Sequence, residues 1–95
     1  MDKLDVIIES IVRHQENVVG PLAIEQANEV DGVLVTDDGK VRVTLKKTSS
    51  PKKVLESLVK RYEMLFGQAS VEVCKDAIKE AGVKIDAKEL PEILS

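Results

Sequence analysis

Few side chains in this sequence could do chemistry. There is one histidine, His14, and one cysteine, Cys74. A nucleophilic thiol needs an adjacent base, and His14, far away in sequence, is the one imidazole on offer. A structural zinc site needs about four Cys, His or carboxylate ligands at close spacing, and no such cluster exists. Asp37-Asp38-Gly39 carries two neighbouring carboxylates. Turn chemistry accounts for them, and a calcium loop needs more oxygen ligands ending in a glutamate. Gly20, Gly32, Gly39, Gly67 and Gly82 are too widely separated to form a phosphate loop. No catalytic residue, metal or cofactor is assigned on these grounds.

Charge offers more. Residues 40–61 hold eight basic side chains and one acidic one, for a net +7, while the rest of the chain carries −10. Lys52 and Lys53 fall at the start of a helix, where the macrodipole is already positive, so cations there cost a few tenths of a kcal/mol each, up to about 1. Together with Lys46, Lys47, Thr48, Ser49 and Ser50 they gather ammonium groups, hydroxyl donors and free backbone N–H groups in one stretch. That combination suits an anion: a phosphate-bearing ligand or the acidic surface of a protein partner. The plainer reading is that these are solvated lysines beside a loop, kept for solubility. Sequence-specific nucleic acid is not the expected partner. The two aromatics, Tyr62 and Phe66, sit on an apolar stripe and leave no stacking platform, and the pI near 5.2 is acidic.

The elements that position these groups follow from periodicity. Leu4, Ile7, Ile8, Ile11 and Val12 make one helical face and predict a helix over 2–16. Gly20-Pro21 breaks it, and Leu22, Ala23, Ala27 and Val30 predict a second, shorter helix ending at Asp31-Gly32. Val33, Val35, Val41, Val43 and Leu45 alternate with polar neighbours around Asp37-Asp38-Gly39, predicting a β-hairpin. A three-residue loop with Gly39 left-handed is expected to pair Val35 with Val41 and Val33 with Val43, gathering the valines on one face. Ser50-Pro51 opens a third helix with the stripe Val54, Leu55, Leu58, Val59, Tyr62, Leu65 and Phe66, stopped by Gly67. Ser70 is expected to cap a fourth, with Val71, Cys74, Ile78 and Ala81 inward and Gly82 at its end. Asp86 and Glu89 have capping-box spacing for a short last helix.

The expected fold is therefore a single α+β domain over residues 1–95: four or five short helices packed on one antiparallel hairpin in the order α-α-β-β-α-α. A chain of 95 residues buries roughly 60–65% of its unfolded surface. Without a disulfide or metal to help, a homodimer that extends the sheet is the expected aid to stability. No apolar run approaches the roughly 18 residues a membrane span requires. The first residues lack the pattern of a signal peptide, so the expected location is cytoplasmic. The function expected from these features is a non-enzymatic interaction or regulatory module that uses its basic stretch. The alternative is a small-molecule-binding or enzymatic domain with a pocket between helices, near His14 or Cys74.

Overall fold

The computed structural model describes residues 3–30, 32–37, 41–45 and 50–82. In chain order the elements are α1 (Lys3–Val19), α2 (Leu22–Asn28), β1 (Val33–Asp37), β2 (Val41–Leu45), α3 (Pro51–Phe66) and α4 (Gln68–Glu80).

The expected fold class is corrected: the protein is mostly helical, not a set of helices laid on a β-hairpin. Helices of 17, 7, 16 and 13 residues stand against two strands of 5. The reason lies in where apolar side chains are concentrated. The stripes of α1 (Ile7, Ile8, Ile11, Val12) and α3 (Val54, Leu55, Leu58, Val59, Tyr62) are buried in one cluster, joined by Val71, Cys74 and Ala77 of α4 and by Ala23 and Ala27 of α2. β1 adds Val33 and Val35 to the same cluster. Helix packs on helix, α1 against α4 and α2, and α3 against α4, while the strand pair lies against α1 and α2. A pair of five-residue strands is too small to serve as a platform.

The two strands pair antiparallel with Val33 opposite Leu45, Val35 opposite Val43 and Asp37 opposite Val41. This corrects the expected register, which placed Val35 opposite Val41. The shift is two residues, so alternate positions keep their faces, as the period-2 pleat requires. The turn at Asp38-Gly39 lies outside the described residues, as does the segment carrying Asp86 and Glu89. Two backbone donors of β1 have partners within the molecule. The backbone N–H of Val33 donates to Val30 O (3.1 Å), and that of Val35 donates to Asn28 Oδ1 (2.8 Å). Both of these N–H groups are thus held by the end of α2 and the residues just after it.

Helix ends explain the remaining differences. α1 continues through Asn17, Val18 and Val19 because nothing before Gly20 breaks it. Gly20 then takes φ 76 and closes the helix with a bond to Glu16 O of 2.8 Å. Gly67 serves as both the C-cap of α3 and the N-cap of α4, at φ 84 and ψ −172. That backbone region is open essentially to glycine alone, so one residue reverses the chain. Ser70 consequently lies inside the first turn of α4 rather than capping it, buried, its hydroxyl donating to Gly67 O at 3.3 Å. Among the described residues no helix is long and apolar enough to cross a membrane.

Candidate functional site

Of the basic stretch, Ser50, Lys52 and Lys53 are described; Lys46, Lys47, Thr48 and Ser49 lie outside the described residues. Ser50 occupies the N-cap position of α3 in an extended conformation (φ −72, ψ 121), with Pro51 beginning the helix. Its carbonyl accepts the N–H of Val54 at 3.0 Å, while its hydroxyl makes no capping bond. Lys52 and Lys53 are exposed, and the first turn holds no acidic residue. The first turn of this 16-residue helix thus carries two ammonium side chains and no carboxylate.

Two further cations of the basic block, Lys60 and Arg61, have partners within the molecule. Lys60 pairs with Glu56 one turn earlier (3.7 Å), and Arg61 donates from Nε to Gln26 Oε1 of α2 at 2.8 Å. The +7 segment is therefore not a continuous patch along α3. Among the described residues its exposed cations are Lys52, Lys53 and Lys60.

His14 and Cys74, the two residues with chemical potential in the sequence, face α4 and α1 respectively without meeting. His14 lies well before the end of α1, which runs on to Val19. Its Nδ1 donates to Ser10 O, one turn back, at 2.8 Å, and its Nε2 contacts Glu80 of α4. A carbonyl only accepts, so Nδ1 carries a proton; Nε2 beside a carboxylate favours a second. Burial alone would push the imidazole down, but the bonds to Glu80 and Ser10 and the charges of Glu80 and Asp76 outweigh it. The net shift is upward, toward the charged form.

This pair borders a cleft of about 430 Å³ between α1 and α4, lined by Val6, Glu9, Ser10, Arg13, His14, Glu80 and Ala81. Its charges are matched internally: Arg13 pairs with Glu9 at 2.8 Å, and His14 with Glu80. The Ser10 hydroxyl is spent on Ala77 O at 2.8 Å, so it is not poised as a nucleophile.

Cys74 is fully buried in the core, and burial pushes its thiol up to about 11, with the Gln15 amide bond pulling weakly the other way. A thiol so placed is a small apolar side chain, not a nucleophile. Sequence reasoning missed Gln15. It is fully buried between α1 and α4, donating from Nε2 to Ser70 O (2.9 Å) and Cys74 Sγ (3.4 Å), while its Oε1 has no partner. Its position next to His14, flanking the apolar stripe, was the available signal. Glu80 was missed because its partner is 66 residues away.

Among the described residues no group of three His, Cys, Asp or Glu side chains is arranged to hold a metal ion. No protein-family model matches the chain, and neither a curated protein nor a solved structure is similar to it.

Proposed function

We propose that the protein is a non-enzymatic interaction or regulatory module, and that the start of α3 with the lysines preceding it engages an anionic group, either on a phosphate-bearing ligand or on an acidic protein surface. The observation that carries this reading is the pair Lys52 and Lys53. Both are exposed in a first turn that has no acidic residue and no side-chain cap from Ser50. Such an arrangement opposes the helix dipole, which makes sense where an anion completes it. The experiment is charge reversal of Lys46, Lys47, Lys52 and Lys53 to Glu, followed by recovery of bound partners from the native host at low and high salt. Partners held by this surface are lost in the variant and weaken steadily as salt rises. An unchanged set of partners overturns the reading.

Self-association belongs to the same proposal. Tyr62 of α3 donates to Ala23 O of α2, which brings the C-terminal end of α3 beside the α1–α2 turn. Val18, Leu22, Leu34, Met64 and Leu65 stay 41–74% exposed. A homodimer would cover some of these side chains. Light scattering decides it, and a monomer at high concentration removes the idea. A cytoplasmic setting agrees with the single unpaired cysteine. The small-molecule alternative has less support, because the charged groups that line the α1–α4 cleft pair with one another, Arg13 with Glu9 and His14 with Glu80.

A further inference from the structure

We propose that the contact between His14 and Glu80 is a proton-controlled latch. It holds the last turn of α4 on α1 while His14 carries both ring protons and releases it when the Nε2 proton leaves. The geometry supplies the logic. Nδ1 is committed to Ser10 O, which can only accept, so it keeps its proton in either charge state. The proton that comes and goes is the one on Nε2, at the contact with Glu80. Once it has left, a lone pair faces a carboxylate, and attraction becomes repulsion.

The surrounding groups favour the closed form at low pH. From α4, Glu80 and Asp76 both face the ring; from α1, Glu9 and Arg13 line the same cleft and are paired with each other. The latch also has a defined range. One turn earlier in α4 the Ser10 hydroxyl holds Ala77 O, and further back Gln15 holds Ser70 and Cys74. None of those bonds changes protonation near neutrality. Release therefore loosens the stretch after Ala77, where the backbone bonds Ala81 N–H to Ala77 O (3.0 Å) and Gly82 N–H to Lys79 O (3.4 Å) close the helix. The Glu80 side chain is 69% exposed, so the contact is partly screened and the switch is graded.

The test is amide exchange by NMR on the full chain between about pH 5.5 and 8.5, corrected for the intrinsic rate, with the His14 ring followed in the same samples. The expected result is a fall of roughly two- to fivefold in protection over residues 78–82, the range of an exposed ion pair, with the midpoint of the His14 titration. Amides around Cys74 stay constant and serve as the internal reference. Glu80→Gln, at an exposed position that leaves the fold intact, moves the His14 midpoint down and flattens the profile. The proposal is overturned by a His14 midpoint at or below about 6.5, by protection that ignores the titration, or by a profile that Glu80→Gln leaves unchanged.

Discussion

Replacing Gln15 with Met should make the protein more stable, although it deletes two hydrogen bonds. Gln15 is fully buried and its Oε1 has no partner. A buried acceptor left unpaired costs about 1–3 kcal/mol of desolvation, and the substitution removes that cost. On the other side, the bond from Nε2 to Ser70 O (2.9 Å) contributes about 0.5–1.5 kcal/mol net, and the 3.4 Å contact to Cys74 Sγ contributes less. Ser70 O lies inside α4, where the i→i−4 ladder supplies it a second partner, so losing the amide does not orphan it. Met matches Gln in length and volume and leaves no cavity. The balance is a gain of about 1 kcal/mol, which in a domain this small raises Tm by about 4–8 °C. Urea and thermal unfolding followed by circular dichroism measure it, with an unchanged urea slope confirming that the unfolded state is not the cause. A loss of 1 kcal/mol or more would refute the reasoning, because it would mean that Oε1 is satisfied in solution, by a buried water for instance.

Four further outcomes can be checked. Tyr62→Phe removes a buried hydroxyl that donates to Ala23 O at 2.7 Å, and thermal unfolding should show a loss of about 0.5–1.5 kcal/mol. Cys74, its thiol pushed up to about 11 by burial, should resist an aromatic disulfide reagent in the native protein and react at once in denaturant. Lys52→Glu with Lys53→Glu should raise stability by about 0.6–2 kcal/mol, since carboxylates suit the start of α3, while partner binding falls; a variant that is neither more stable nor weaker in binding contradicts the site. His14 has a folded-state value above its unfolded one, so its contribution is fully present below about pH 6.5 and is lost as pH rises through the folded value. Unfolding at pH 5.5 and 8.5 should show that loss, below about 1 kcal/mol for a partly exposed pair, and His14→Gln should abolish it.

The helices were legible because each carries its own stripe and its own stop. Gly67 and Gly82 mark ends that the backbone honours, and the stripe of α3 matches its buried face through Tyr62. The weight of the parts was not legible. Alternating valines announce strands whatever their importance to the core, and only the assembled molecule shows that Ile7, Ile8, Ile11, Leu55 and Leu58 outweigh them. Register escaped because moving the three-residue loop along by one position shifts the pairing by two and preserves the same alternation. The candidate sites divide in the same way. The lysines at the start of α3 were visible from local charge. The partners of His14 and Gln15 were not, since both sit on α4 and no rule of spacing along a chain reaches across 55–66 residues.

The Asn28 side chain has a consequence for how the molecule comes apart. α2 has 7 residues, well short of the length at which a helix holds in water on its own, and the strands have 5 each. Each of these pieces would melt if left to itself. The amide of Asn28 and the carbonyl of Val30 fasten the end of one to the backbone of the other. Neither can open without stripping the other's bonds, so α2 and the strand pair form one cooperative unit that unfolds as a block. In Asn28→Ala the Val35 N–H loses its partner while the Val33 bond to Val30 O remains, so the amides of β1 and α2 should lose protection together rather than one before the other.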